Sequence, residues 1–114
     1  MLSIEALQSY GANVQEGLGR CLNNEAFYLR LVKMAAQDDH FQKLDLALAA
    51  GDLPAAFDAA HALKGVLANL ALTPLLLPVS EITELLRAQV DTDYAPYSAS
   101  IHQQHQALLA LCED

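Results

Sequence analysis

The sequence has little positive charge and no long apolar run. Against fourteen Asp and Glu there are six scattered Lys and Arg, which gives 114 residues a net charge of −8. Nucleic acids and anionic lipids bind basic surfaces, so we expect neither nucleic acid nor membrane as a partner. No apolar stretch reaches the roughly 18 residues that span a bilayer. The start, MLSIEALQSYG, also lacks the basic and apolar regions of a signal peptide, which predicts a cytoplasmic protein.

Cysteine is scarce as well. Cys21 and Cys112 lie near opposite ends of the chain. In a protein without an export signal, reduced structural thiols are favoured over a disulfide. The sequence alone leaves their pairing open.

The composition is that of one helical domain. Hydrophobic residues make up 54% of the chain, enough for a single core over residues 1–114 and too many for a disordered chain. Val, Ile and Thr are sparse, whereas Ala and Leu dominate, which favours helix over strand. The amphipathic segments and short breaks predict an all-α fold, an antiparallel up-and-down helical bundle.

Capping residues and breaks divide the chain into seven predicted helices. Their ranges are 4–10, 14–22, 25–37, 40–50, 53–70, 73–89 and from 97 or 98 to 111. The predicted caps are Ser3, Asn13, Asp38-Asp39, Asp52 and Thr73. The residues that fall on one face of the third predicted helix are Phe27, Leu31 and Met34 or Ala35.

Three features affect the stability or the path of these predicted helices. Gly17 and Gly19 lie inside the second segment, so we expect it to be the least stable helix. The segments 25–37 and 40–50 could also form one bent helix. Pro78 falls within the sixth segment, where it should kink the helix or delay its regular start.

The helix over residues 53–70 presents a histidine on its outer face. Its apolar residues fall in one stripe of about 100° that must face the core. His61 points about 140° away from the centre of that stripe, so we predict that it is exposed. The core stripe consists of Leu53, Ala56, Ala60, Leu63, Leu67 and Leu70.

The residues one turn from His61 suit phosphoryl chemistry. An exposed imidazole is largely neutral near pH 7 and therefore nucleophilic. Lys64, at i+3, can reach a phosphoryl group on the ring. Gly65, at i+4, costs the helix about 1 kcal/mol relative to alanine and leaves clearance for the imidazole. Phe57 and Ala68 would make the surrounding surface apolar enough for docking. The spacing alone leaves open that His61 is an ordinary surface histidine.

The stretch AAHALKGVLANLALTPL, residues 59–75, resembles the histidine-containing phosphotransfer (HPt) domains of multistep two-component phosphorelays. The upstream ALAAGDLPAAFDAA, the downstream SEITELLR and, more weakly, NNEAFYLRLVKMAAQD are also similar to that family. The resemblance implies a four-helix bundle with short extra N-terminal helices. It also implies that His61 is the phosphoacceptor, Lys64 the phosphate-side cation and Gly65 the clearance residue. The expected docking surface around them comprises Phe57, Asp58, Ala68 and Asn69.

The implied function is that of a phosphocarrier without autonomous kinase activity. His61 would accept a phosphoryl group from the aspartyl phosphate of a response-regulator receiver domain and pass it to another receiver. We expect no cofactor on this chain, with Mg²⁺ on the partner receiver, and a hybrid histidine kinase as a further partner.

Two alternatives belong to other classes of protein. The first is an HPt-like docking module that binds a receiver or kinase without carrying phosphate. The second is a metal or haem bundle, because His102 and His105 at i,i+3 could share a face, with His40 as a further candidate ligand.

Overall fold

The computed structural model describes residues 1–113, in which seven helices follow one another and no strand occurs. The predicted all-α class and the division into seven segments are confirmed. Within the described residues, no helix is both long and apolar enough to cross a bilayer. The helices are α1 (Ile4–Tyr10), α2 (Val14–Arg20), α3 (Glu25–Ala36), α4 (His40–Ala49), α5 (Leu53–Asn69), α6 (Thr73–Arg87) and α7 (Ala95–Leu111).

Three of the predicted caps set the starts of their helices. The side chains of Ser3, Asn13 and Asp52 each accept a hydrogen bond from the backbone N–H three residues later, at 3.0, 3.2 and 3.1 Å. Each bond satisfies one of the N–H groups that have no partner at a helix start. These polar caps were readable from the sequence because the interaction is local.

One predicted cap and one predicted helix start were wrong. Thr73 is the first residue of α6 rather than its cap, and Leu72 precedes it without a side-chain cap. The last helix begins at Ala95, two or three residues earlier than predicted. Pro96 is favourable there because the first turn of a helix has no partner for an N–H group in any case.

The kink expected at Pro78 stays a prediction, whereas the delayed start and the single bent helix differ from the observed path. Helix α6 runs from Thr73 to Arg87 with Pro78 inside it, so the delayed start was wrong. Pro78 is the sixth residue of α6, beyond its first turn, so the helix lacks the backbone hydrogen bond that an N–H group there would donate to the carbonyl of Pro74. Helices α3 and α4 are separate, and Asp38 Oδ1 accepts a hydrogen bond from the backbone N–H of His40 at 2.8 Å.

Helix α5 lies at the centre of the bundle. It packs mainly against α4 and α6, and α6 packs in turn against α7. Tyr28, near the start of α3, bonds to the end of α5, whereas Ala47 of α4 lies near Ala55 and Ala59 at its start. Helices α3 and α4 therefore form one arm that runs antiparallel to α5. With α5, α6 and α7 this arm makes the four-helix bundle.

The predicted stripe of α5 is buried, whereas the residues placed on one face of α3 are divided between the core and the surface. Leu53 of the stripe is only half-buried, whereas its other members are buried. On α3, Phe27 is 38% and Met34 is 63% exposed. Most residues of α3 are apolar, so their spacing could not single out one face. The residues that do face the core are Tyr28, Val32, Ala35 and Ala36.

Glycine in α2 permits a close contact with α3. A Cβ on Gly17 would lie 2.5 Å from Tyr28 Cε1 and 2.7 Å from the Leu70 carbonyl oxygen. The Tyr28 hydroxyl donates a hydrogen bond to that same oxygen at 2.9 Å. Burial, with a smaller effect of Cys21, raises the pKa of Tyr28 to about 12, so the phenol stays protonated. Gly17 is therefore a packing requirement and not only a weak point of the helix.

The two cysteine side chains are free in this fold. Cys21 is buried, Cys112 is half-buried, and neither forms a disulfide. The expected free thiols are confirmed.

We expect Gly17→Ala to lower the free energy of unfolding by about 1–2 kcal/mol, because overpacking outweighs the gain in helix propensity. Gly19→Ala is the matched control, since a Cβ there meets nothing within 4 Å. It should raise the free energy of unfolding by up to about 1 kcal/mol. Urea denaturation of both variants measures the difference. A Gly17→Ala variant as stable as wild type would contradict the close contact.

Candidate functional site

The burial of α5 places His61 on the surface of the bundle. Ala60 and Leu63 are fully buried on either side of it in the sequence, whereas His61 itself is exposed. The Asp52 cap and Pro54 in the first turn fix where the helix starts, and hence which residues face outward. The predicted exposure of His61 is confirmed.

An aromatic ring lies beside the imidazole. The rings of Phe57 and His61 are stacked, with centroids 5.4 Å apart and an angle of 14° between their planes. Phe57 is half-buried and packs against the core. The Arg87 Cζ atom lies 5.0 Å from the centroid of the Phe57 ring, within the range of a cation–π contact. The imidazole therefore lies beside a packed aromatic ring and remains exposed.

Helix α6 contributes a carboxylate that pairs with two cations. Glu84 Oε1 lies 3.2 Å from Lys64 Nζ, and Glu84 Oε2 lies 3.0 Å from Arg87 Nε. The hydrogen bonds from Lys64 and then Arg87 lower the pKa of Glu84, so this carboxylate is ionised at neutral pH. All three side chains are solvent-accessible, and such pairs contribute little to stability. They do determine where the Lys64 ammonium lies.

Gly65 leaves open space next to His61. A Cβ at this position would meet nothing within 4 Å. The packing of the described chain therefore does not require glycine here, in contrast to Gly17. This glycine is unfavourable for the helix and unnecessary for the fold. It instead leaves room beside His61 for a group on the imidazole or for an approaching protein.

The four residues of the expected docking surface all lie at the surface. Asp58 and Asn69 are exposed, whereas Phe57 and Ala68 are half-buried. Arg20 of α2 extends this face, because its guanidinium donates a hydrogen bond to the carbonyl of Ala68.

Sequence reasoning missed three charged residues of this face. Arg20, Glu84 and Arg87 come from α2 and α6 and reach the surface around α5 only through the fold. The segment SEITELLR contained the available signal, since Glu84 and Arg87 are spaced i,i+3 on one helix. No local pattern connected either residue to His61.

The other histidines do not form one site. His105 stacks on Phe41 with centroids 3.7 Å apart, and its Nε2 lies 2.7 Å from the Ala36 carbonyl oxygen. His40 Nδ1 lies 2.7 Å from Asp38 Oδ1. Within residues 1–113, the one cluster with possible metal-ligand geometry is Asp38, Asp39 and His40. Within the described residues, that cluster includes neither His102 nor His105, the pair on which the metal or haem alternative was based.

The sequence was compared with curated proteins, with solved structures and with models of protein families. Neither a curated protein nor a solved structure matches the sequence. The family model described as "Hpt domain" matches residues 31–111, which include α4 to α7 and His61. Hpt domains act in histidine phosphotransfer within phosphorelays, carry phosphoryl groups without kinase activity of their own, and interact with receiver domains. The match covers well over half of the residues, and the chain therefore belongs to the Hpt domain family.

Proposed function

We propose that this chain carries a phosphoryl group on His61 between receiver domains of a two-component phosphorelay. The observation that carries the proposal is the exposed imidazole with a lysine at i+3 and open space at Gly65, in a chain of the Hpt domain family. The donor is the aspartyl phosphate of one receiver, and the acceptor is the aspartate of another. One of these receivers belongs to a hybrid histidine kinase. The free thiols fit the cytoplasmic location that we propose.

The transfer is an in-line displacement at phosphorus. The neutral imidazole attacks through Nε2, so that an N–P bond forms while the P–O bond to the aspartyl group breaks. The electron pair of the broken bond remains on the aspartate as a carboxylate. The proton on Nδ1 stays on the ring, and the reverse displacement delivers the phosphoryl group to the second receiver. Positioning and electrostatics supply most of the catalysis in such a reaction.

The proposed roles follow from where the side chains lie. Lys64 offsets the charge on the phosphoryl group, Gly65 provides clearance, and Phe57 orients the imidazole by stacking. Mg²⁺ and the acidic pocket belong to the receiver, and this chain needs no cofactor for its part. Asp58, Ala68, Asn69 and the exposed edge of Phe57 form the docking surface.

We expect His61→Gln to abolish phosphorylation by a receiver, because the amide has no nucleophilic nitrogen of comparable strength. Labelled phosphorylated receivers from the same genome would be mixed with wild type and variant. An acid-labile label should appear on the wild type alone. The variant should still bind the receiver, since the change is confined to one exposed side chain.

The same experiment tests the alternative of a docking module without phosphate. Binding of wild type to a receiver without any label would favour that alternative. Label on the His61→Gln variant would place the phosphoacceptor elsewhere and overturn the carrier role of His61.

Substitution of Gly65 should separate function from stability. Gly65→Ala should raise the free energy of unfolding by about 0.5–1 kcal/mol, because the helix gains propensity and the new methyl group meets no atom of the chain. Gly65→Gln should slow transfer by about tenfold or more, because its larger side chain displaces the approaching receiver.

Urea denaturation and single-turnover transfer measure the two effects. Gly19→Ala serves as the control, since it offers the same gain in propensity away from His61. Unchanged transfer by Gly65→Gln would contradict the clearance role.

A further inference from the structure

We propose that Glu84 is a positioning residue that holds Lys64 while His61 is unphosphorylated and releases it to the phosphoryl group after transfer. This inference rests on the carrier function proposed above. In this proposal, Glu84 of α6 influences how strongly the chain retains the phosphoryl group.

The geometry places Glu84 in competition for the Lys64 ammonium. Lys64 Nζ lies 3.2 Å from Glu84 Oε1, so the proposed phosphate-side cation has a carboxylate partner in the unmodified protein. Lys64 also lies one turn from His61 on the same helix face. Its flexible stem allows the ammonium to turn from one anion to the other.

The charges favour exchange after transfer. A phosphoryl monoester carries about 1.5 to 2 negative charges near pH 7, and a phosphoryl group on the imidazole is similarly charged. Glu84 offers Lys64 a single negative charge. The Glu84 side chain is also 56% and that of Lys64 35% exposed, so water solvates both groups as the pair opens.

Arg87 lowers the cost of releasing Lys64. Its Nε remains 3.0 Å from Glu84 Oε2, through a pair formed within α6 itself. Glu84 therefore keeps one cationic partner when Lys64 leaves. A carboxylate that paired with Lys64 alone would resist the exchange more strongly.

The inference predicts that neutralising Glu84 increases phosphate retention. The measured quantity is the equilibrium ratio of phosphorylated chain to phosphorylated receiver, after transfer from one labelled receiver. Glu84→Gln should raise this ratio by about two- to fivefold, the range expected when an exposed ion pair stops competing for Lys64. Glu81→Gln is the matched control, because it removes the same charge from an exposed position of α6 that has no ion pair within the described residues. It should leave the ratio unchanged.

A double-mutant cycle shows whether Glu84 acts through Lys64. In a Lys64→Ala background, Glu84→Gln should no longer change the ratio. If the full effect persists there, Glu84 acts by direct repulsion of the phosphoryl group, and the exchange of Lys64 is overturned. When Lys64 is present, equal ratios for the wild type and for Glu84→Gln would overturn the exchange as well.

A measurement without phosphate tests the resting ion pair. Lys64→Ala should raise the pKa of the Glu84 carboxyl, measured by NMR titration, because it removes the hydrogen bond that lowers this pKa most. An unchanged pKa would overturn the resting pair.

Absence of label on wild type would overturn the carrier function together with this inference. Label with no effect of Glu84→Gln would overturn the role of Glu84 alone.

Discussion

The burial of one face of α5 is the constraint on which the rest of the structure depends. Leu63 and Leu67 are completely buried because α5 packs between α4 and α6, and removal of such side chains from water supplies most of the stabilisation in a small bundle. The same packing fixes the rotation of the helix about its axis. His61 on the opposite side is therefore held at the surface by the core rather than by contacts of its own.

The end of α5 imposes a second constraint, because the last carbonyl groups of a helix lack partners within it. Residues from the first part of the chain donate further hydrogen bonds to carbonyl groups at and just beyond this end. Arg20 donates to the carbonyl of Ala68, the Tyr28 hydroxyl to that of Leu70, and the backbone N–H of Asn13 to that of Ala71. The segment before the matched residues 31–111 thus completes the helix that carries His61, and it places a cation on the same face.

The proposed site combines an aromatic ring packed against the core with solvated charged side chains. The Phe57 ring is stacked beside the imidazole, whereas Lys64 and Glu84 are long, solvated side chains joined by an exposed ion pair. A phosphocarrier needs this combination, because it must hold phosphate and then give it up. Contacts that held the phosphoryl group very strongly would prevent the second transfer.

Local interactions explain what the sequence determined by itself. The caps at Ser3, Asn13 and Asp52, the apolar stripe of α5, and the outward direction of His61 depend on residues within a few turns of one another. The sequence could not determine which face of α3 is buried, because the apolar residues of this helix lie on several of its sides. Nor could it show that Glu84 and Arg87 lie beside the His61 face or that Gly17 admits the Tyr28 ring. Those contacts join residues of different helices, and only the packing of the bundle decides which of them meet.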